Sequence, residues 1–293
     1  MREQISAEYL EHITDAAHRK SFDPYKAIDW NVPFDLERFY LPPDMVSLYG
    51  TPLWDQMTRE QQVKLSMHEA CSALSTGIWF ETQLSMKFMD YVINTSPHDP
   101  HFYWMQTEVA DECRHSMMFG ELIRHTGVPW YKPRFSSLFV AFTKYLTPKV
   151  SMILGTLSAE DVTDYLNRRI AQDAECHPVM RELSKIHIVE EARHLGYARQ
   201  WLRENWPNMG SIRRAMARRD ALMTTAIIIW QLVHPDIYKN VGLPPEAAQM
   251  AKQNPHRKRM KREMSQGLVE FLSEIDVIDA KFASKWRAAG LMA

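Results

Sequence analysis

The amino-acid sequence predicts an all-α protein with a four-helix bundle at its centre. Among the 293 residues only 10 are glycine and 45% are hydrophobic, which is typical of helical globular proteins rather than β-sandwiches. Signals for the start and the end of helices divide the middle of the chain into four long segments. One pattern of glutamate and histidine residues occurs twice in these segments at the same spacing.

The N-terminal part of the chain, over positions 1–57, predicts an irregular arm. Residues 21–57 are rich in proline and aromatic residues, such as Pro24, Trp30, Pro43 and Trp54, and have no helical period. We therefore expect this part of the chain to wrap over the helical core.

Two of the predicted core helices form a hairpin. Thr58 and Gln61 form a predicted capping box at the start of the first helix, which we expect to end near Asn94. Asp99, followed by a proline, is a suitable start for the second helix, and Gly127 is a suitable end. Because the connection is short, the two helices must pack antiparallel.

A second hairpin follows in the same arrangement. A proline-rich connector that ends at Pro148 leads to a helix that carries Glu160 and ends near Cys176. Pro178 begins the next helix, which we expect to continue to about Trp206. The two hairpins together form the predicted four-helix core.

We expect the whole chain to form one domain with three parts. These are the arm over residues 1–57, the four-helix core over 58–206 and accessory helices over 207–293. Within the last part the sequence predicts helical segments over 212–233 and about 244–288, packed outside the core.

The repeated pattern consists of a glutamate and a later Glu-x-x-His, with the same separation in both copies (81 to 112, and 160 to 191). One constant offset along the chain places every residue of the first copy on its counterpart in the second (81 on 160, 112 on 191, 115 on 194). A single Glu-x-x-His is common in helices, but its duplication with matched carboxylates is specific. The six residues are Glu81, Glu112 and His115 in the first copy, and Glu160, Glu191 and His194 in the second.

The first predicted hairpin brings its own carboxylates together. Glu81 precedes Asn94 by the same number of positions as Glu112 follows Asp99. Because each residue adds the same rise of about 1.5 Å along a helix, the two side chains lie at the same height in the hairpin.

These carboxylates and imidazoles predict a site for two metal ions. Together they suit iron or manganese better than calcium, which avoids imidazole, or structural zinc, which favours thiolate. In the simplest arrangement, Glu112 and Glu191 bridge the two ions. The remaining ligands are Glu81 and His115 on one ion, and Glu160, His194 and the additional His187 on the other.

His187 extends the pattern in the second copy only. It lies one turn before Glu191, on the same face of the predicted helix as Glu191 and His194. This position favours a metal ligand over a histidine of the core. The equivalent residue of the first copy is Glu108. Glu108 could be a further ligand, an acceptor for a ligand side chain or a neighbouring acid, and we favour the acceptor.

Charged residues beside the pattern predict a supporting layer. Arg114 and Arg193 each precede a predicted ligand histidine and therefore lie on a different face of the helix. We expect them to form ion pairs with Asp111, Glu190 or Asp164. Asp164 is also a candidate for orienting a ligand imidazole.

The pattern resembles the ligand set of the p-aminobenzoate N-oxygenase family, and His187 is its most specific member. The similarity extends over roughly residues 28–233 and includes the stretches IDWNVPF and HSMMFGELIRHTG. The residues that correspond to the family's ligands are Glu81, Glu112, His115, Glu160, His187, Glu191 and His194.

The resemblance implies a ferritin-like diiron oxygenase that oxidises aromatic amines toward nitro compounds in bacterial natural-product pathways. It implies iron rather than manganese, O2 as co-substrate and a peroxo-diferric intermediate that transfers oxygen to the amine. The sequence has no Gly-x-Gly-x-x-Gly stretch and too few cysteines for an iron–sulfur cluster. We therefore expect an external electron donor, either a reductase–ferredoxin pair or a small-molecule reductant.

Composition limits the other classes of function. The formal charge of −1 does not favour nucleic acid or an anionic membrane as a partner. The longest strongly apolar run, residues 221–233, is too short to span a bilayer, and the polar N-terminus is not a signal peptide. Three cysteines without a CxxC pair indicate a reducing compartment. We expect a cytoplasmic homodimer.

Two alternative functions use the same kind of site. One is a diiron oxygenase that acts on C–H or C–C bonds of another small substrate. The other is a ferroxidase or iron-storage subunit, which fits less well because the long segment after His194 adds no further ligand.

Overall fold

A computed structural model describes residues 5–134 and 149–293. These residues are predominantly helical, and their only β-type pairing is an isolated bridge between Phe39 and Cys176. The predicted all-α class with a helical bundle is confirmed. Part of the predicted connector, including Pro148, lies outside the described residues.

The N-terminal arm is more regular than predicted, because it includes a helix of 13 residues. Ser6 caps this helix by accepting a hydrogen bond from the Tyr9 N–H at 3.2 Å. Leu10 and Ile13 lie on its buried face, and the helix packs against the second core helix. The helices of the arm are α1 (Ala7–Arg19), α2 (Pro24–Ala27) and α3 (Pro52–Gln56).

Four long helices form the core, and the first two show the predicted boundary signals. Thr58 Oγ1 accepts from the Gln61 N–H at 3.2 Å, and the Gln61 side chain accepts from the Thr58 N–H at 2.9 Å. Gly127 ends the second helix in the left-handed conformation, with a φ of 66°. The core helices are α4 (Arg59–Val92), α5 (Pro100–Thr126), α6 (Lys149–Gln172) and α7 (Pro178–Asn205).

The core helices pack mainly as two pairs, α4 with α5 and α6 with α7. Short turns over residues 93–99 and 173–177 join the members of each pair. The arm is fastened to the second turn through backbone hydrogen bonds. The Phe39 N–H donates to the Glu175 carbonyl at 3.1 Å, and the His177 N–H donates to the Phe39 carbonyl at 2.7 Å.

The segment predicted as helical over about 244–288 is not continuous, because the chain breaks twice. Asn254 ends one helix and caps the next, since Pro255 disfavours the helical conformation in the residue before it. At the second break Asp276 has a φ of 61°, and Asp279 caps the last helix. The C-terminal helices are α8 (Ser211–Gln231), α9 (Asp236–Val241), α10 (Ala247–Gln253), α11 (Pro255–Glu274) and α12 (Ala280–Ala288).

The C-terminal helices cover one side of the core. Both α8 and α11 pack against α6, so the third core helix is enclosed from outside as well as from within the bundle. Of the helices that the structure describes, none has both the length and the apolarity needed to cross a bilayer.

Candidate metal centre

The four core helices direct their predicted ligands into one buried cluster. Each of the seven side chains is 6% exposed or less. The ligand atoms form overlapping groups of three, and within each group the atoms lie within 4.8 Å of one another. The structure thus brings together all of the predicted residues, which are Glu81 on α4, Glu112 and His115 on α5, Glu160 on α6, and His187, Glu191 and His194 on α7.

Glu112 and Glu191 lie between the imidazoles of the two copies. Glu112 Oε2 is 3.6 Å from His115 Nδ1, and Glu112 Oε1 is 3.3 Å from His194 Nδ1. Glu191 shows the same arrangement, with Oε1 3.1 Å from His115 Nδ1 and Oε2 2.9 Å from His194 Nδ1. Each carboxylate therefore presents one oxygen to each half of the site, as a bridging ligand does.

The atoms at the centre of this cluster have unsatisfied hydrogen-bonding capacity. Both carboxylate oxygens of Glu112 and of Glu191 are buried without a hydrogen-bond partner in the described part of the chain, and so are Nδ1 of His115 and of His194. Leaving one such group unpaired costs about 1–3 kcal/mol. Two divalent cations would coordinate these atoms, and their charge would match that of the four glutamates of the repeat. The donor set therefore fits a pair of metal ions.

Glu81 and Glu160 flank the two bridging carboxylates. Ser116 Oγ donates to Glu81 Oε2 at 2.6 Å and so fixes one oxygen of this glutamate. The other oxygen, Oε1, lies 3.8 Å from His187 Nε2. Glu160 belongs to a group with His187 and Glu191. Glu81 and Glu160 thus both lie in a group with His187.

His187 can reach either half of the site. It forms one group with Glu81 and His115, and another with Glu160 and Glu191. Its ring is oriented from outside by Asn167, whose Nδ2 lies 2.9 Å from His187 Nδ1. This contact leaves Nε2 facing the carboxylates.

The sequence-based interpretation did not identify Asn167 and named Asp164 as a candidate for orienting a ligand imidazole. Asn167 follows Glu160 by two turns on α6, a spacing that could have indicated the shared face. Asp164 accepts instead from Arg168 Nε at 2.7 Å, toward the exposed side of the helix. Among the described contacts it makes none with an imidazole, so its proposed orienting role is wrong.

The outer nitrogens of the two repeat histidines contact carboxylates of the opposite hairpin. His115 Nε2 lies 2.8 Å from Glu190 Oε2, and His194 Nε2 lies 3.4 Å from Asp111 Oδ2. Asp111 and Glu190 are themselves equivalent under the offset that relates the two copies (111 to 190). The two crossed contacts fix both rings with Nδ1 toward the centre, as expected of metal-binding histidines.

Arginines from both copies form ion pairs with Asp111 and Glu190, as predicted. Arg193 Nη2 donates to Asp111 Oδ2 at 3.0 Å. Arg114 pairs with Asp111 one turn earlier on its own helix, and its Nη2 is 3.7 Å from Glu190 Oε1. The arm also contributes, since the Phe22 N–H donates to Glu190 Oε1 at 3.3 Å.

Glu108 lies on the outer side of His194. Its Oε1 is 3.3 Å from His194 Nε2, the nitrogen that faces away from Glu112 and Glu191. Glu108 also falls within a group with Glu112 and His194. Glu108 Oε1 has no hydrogen-bond partner among the described residues, so its acceptor role remains a prediction beside the ligand alternative.

Burial and contacts between charged side chains shift the pKa values of the carboxylates and imidazoles of the site. Burial, followed by repulsion from Glu191, raises the pKa of Glu160 well above its ordinary value. Burial also raises the pKa of Glu191, but His194 and His187 outweigh this effect and hold it well below its ordinary value. Burial lowers the pKa of His115, but contacts with carboxylates raise it well above the usual range. The site therefore attracts positive charge, from imidazolium groups or from metal ions.

A small apolar cavity adjoins the cluster. It has a volume of about 60 Å³ and is bordered by Glu81, Glu160 and His187. The rest of its wall is mainly apolar and includes Phe119 and Ile228. A nonpolar molecule at this position would be next to the predicted metal ligands.

Comparison with protein families gives a match over almost the whole chain. A family model described as P-aminobenzoate N-oxygenase AurF matches residues 3–276. This range includes all the residues of the buried cluster. The family is part of the diiron ferritin-like superfamily.

Mycobacterial proteins are also similar to this chain. The uncharacterized protein Rv0885 of Mycobacterium tuberculosis and the uncharacterized protein Mb0909 of Mycobacterium bovis are each 28% identical to it over 220 residues. Each alignment covers 71% of this chain and 64% of the relative. The match therefore spans less than two thirds of the length of these relatives.

Proposed function

Because this chain belongs to the p-aminobenzoate N-oxygenase AurF family of diiron proteins, we propose that it oxidises the nitrogen of an aromatic amine with O2. One observation carries this proposal. Glu112 and Glu191 each place one unpaired, buried oxygen toward His115 and the other toward His194. Such an arrangement suits two iron ions bridged by carboxylates.

The ligands divide naturally between the two ions. Glu112 and Glu191 would be shared, and we retain His187 on the second ion, with manganese as the alternative metal. Bound iron would supply the activation of O2. The other ligands would be Glu81 and His115 for the first ion, and Glu160 and His194 for the second.

The residues around the ligands position them and exclude water. The contacts of Glu190 with His115 and of Asp111 with His194 keep the outer nitrogens occupied, so that each Nδ1 remains directed inward. Arg193 and Arg114 balance the charge of these acids. The apolar cavity would admit the uncharged amine rather than an ammonium ion, and the uncharged form carries the nitrogen lone pair that is oxidised.

The first oxidation requires reducing equivalents. An arylamine, O2, two electrons and two protons give an arylhydroxylamine and water, and further oxidation leads to nitroso and nitro compounds. We propose that an external donor supplies the electrons, either a reductase with a ferredoxin or a small-molecule reductant.

Anaerobic loading with ferrous iron, followed by exposure to ¹⁸O₂ and a panel of arylamines, tests this function. We expect the label in the N-oxygenated product and no product from Glu191→Ala, which should not hold the metal pair. Labelled oxygen on carbon would instead support a C–H or C–C oxygenase. Iron oxidation without incorporation of label would support a ferroxidase.

The assembly provides a second distinction. We propose a homodimer, which analytical ultracentrifugation of the iron-loaded protein would detect. A closed shell of many subunits would contradict the oxygenase proposal and favour iron storage.

A further inference from the structure

We propose that a second, outer pocket holds the substrate's aromatic ring, and that the substrate is an aromatic amine with an apolar substituent opposite the amino group. This inference rests on the proposed N-oxygenation. It concerns a pocket between α4, α6 and α8 that shares Phe80 with the cavity beside the metal ligands.

The inner cavity is too small for an aromatic ring. Its volume is about 60 Å³, whereas a buried apolar cavity that accommodates benzene in another protein measures about 150 Å³. The inner cavity can therefore receive the amino group, but the ring must extend beyond it.

The outer pocket adds space and an apolar wall. Its volume is about 130 Å³, so the outer pocket and the inner cavity together exceed the volume of about 150 Å³ that accommodates benzene. Leu84 of α4, Met152 of α6, and Met216, Met223 and Ile227 of α8 lie along it. Methionine side chains adapt their shape to a ligand, so this wall suits an apolar group of variable form.

Three residues separate the outer pocket from the inner cavity. Phe80, Ala159 and Glu160 line both spaces. Phe80 and Ala159 are equivalent positions of the two copies (80 to 159), and each immediately precedes an outer carboxylate of the repeat. The small side chain of Ala159 leaves room on the Glu160 side, where a rotation of the Phe80 ring would join the two spaces.

The polar side chains of the pocket do not favour an anionic substituent. Asp220 accepts from Ser151 Oγ at 2.7 Å and from Arg219 Nη2 at 3.0 Å. The charge of Arg219 is thus already balanced, and Lys87, the other cation of the pocket wall, has an interaction partner as well. A carboxylate on the substrate would be repelled by Asp220. With the amine directed at the metal ligands, an apolar substituent at the opposite end of the ring would lie along Met216 and Met223.

Calorimetric titration of the iron-loaded protein under argon tests this inference without turnover. The probes are aniline, 4-butylaniline and p-aminobenzoate. We expect 4-butylaniline to bind at least about tenfold more tightly than aniline, because each buried methylene contributes about a factor of four. p-Aminobenzoate should bind more weakly than 4-butylaniline.

Filling the outer pocket should remove this preference. A Cβ at Gly155, which lines the pocket, would meet only Thr224 Cγ2 at 3.8 Å, so the backbone accepts a side chain there. We expect Gly155→Leu to weaken 4-butylaniline binding at least about tenfold. Gly120→Leu on α5 is the matched control, because a Cβ at Gly120 would meet no atom within 4 Å. Met223→Trp provides a second way to fill the pocket if Gly155→Leu does not fold.

The binding results separate this inference from the proposed function. Equal affinities for aniline and 4-butylaniline, a preference for p-aminobenzoate, or unchanged binding in both pocket-filling variants would overturn the pocket assignment. The expected binding pattern without any N-oxygenated product would support the pocket and contradict the proposed reaction. N-Oxygenation of arylamines without the expected binding pattern would support the proposed reaction and contradict the pocket assignment.

Discussion

Nε2 of His115 lies 2.8 Å from Oε2 of Glu190, a carboxylate that belongs to the opposite helical hairpin. The contact is buried, since both side chains have no exposed surface. It orients a predicted metal ligand of α5 through a residue of α7. Its counterpart, between His194 and Asp111, crosses the bundle in the other direction.

The contact between His115 and Glu190 predicts the effect of Glu190→Gln. The amide keeps the shape of the side chain but loses the charge that fixes the imidazole, so we expect iron affinity to fall about 10–100-fold. Competition with a chromophoric chelator measures this change. Glu182→Gln, on the exposed face of the same helix, is the control and should bind iron normally. Equal affinities in the two variants would argue against a positioning role for Glu190.

The proposed bridging role of Glu112 and Glu191 predicts how iron stoichiometry responds to substitution. Glu112→Ala or Glu191→Ala removes a ligand from both ions, so we expect each variant to lose both. His187→Ala should retain iron, because His187 is assigned to one ion only and does not bridge the pair. We expect this variant to react poorly with O2. Iron analysis after gel filtration and O2 consumption measure the two effects. Full iron content in Glu191→Ala would contradict the bridging assignment.

Glu69 predicts a pH dependence of stability that is independent of the metal centre. It is buried beside Ser47, whose N–H donates to Glu69 Oε2 at 3.0 Å, and burial raises the pKa of Glu69 from 4.5 to about 7. In the folded state the proton is retained to higher pH than in the unfolded chain. The stabilising contribution of protonated Glu69 is therefore complete below about pH 4.5 and is lost as the pH rises through about 7.

Substitution of Glu69 isolates this contribution. The raised pKa corresponds to about 3 kcal/mol of unfolding free energy lost across that interval. In Glu69→Gln we expect a smaller decline in stability between pH 5 and 8 than in the unsubstituted chain, as measured by urea unfolding. Glu60→Gln, at an exposed position near the start of the same helix, should preserve the original decline. Parallel pH profiles for the two variants would show that Glu69 does not titrate in this range.

Asn254 links the C-terminal helices to the N-terminal arm. Its Nδ2 donates to the carbonyls of Ser47 at 3.0 Å and Tyr49 at 2.9 Å, while its Oδ1 caps α11 by accepting from the His256 N–H at 3.0 Å. Asn254→Ala should lower the unfolding free energy by about 1–3 kcal/mol, because buried carbonyls lose their donor.

Asn254→Asp separates the two roles of this side chain. Aspartate keeps the cap but cannot donate, so we expect it to be at least as destabilising as alanine. Urea unfolding gives the comparison, with Gln253→Ala at an exposed neighbouring position as the control. Full stability of Asn254→Asp would mean that only the cap matters.

Much of the core could be predicted because its helices carry their own boundary signals. The capping box of Thr58 and Gln61 and the left-handed Gly127 act locally, and the sequence shows both directly. The convergence of the predicted ligands also follows from local rules, since helical rise and short turns set the height of each side chain. The assignment of these residues as ligands remains a prediction that iron analysis tests.

The contacts between the hairpins could not be predicted in the same way. Pairing of His115 with Glu190 depends on how α5 faces α7, which no local signal determines. Asn167 approaches His187 for the same reason. The interruption at Asn254 could have been recognised from the proline that follows it, whereas the break at Asp276 has no such signal.

The crossed contacts mean that neither hairpin is a complete unit. Each hairpin supplies an imidazole whose outer nitrogen contacts a carboxylate of the other hairpin, and each supplies one of the two predicted bridging carboxylates. An ancestral peptide with one copy of the repeat would have needed to self-associate before it could hold such ions. Joining two copies in one chain would then allow each half to differ from the other, and His187 and Glu108 stand at equivalent positions with different side chains.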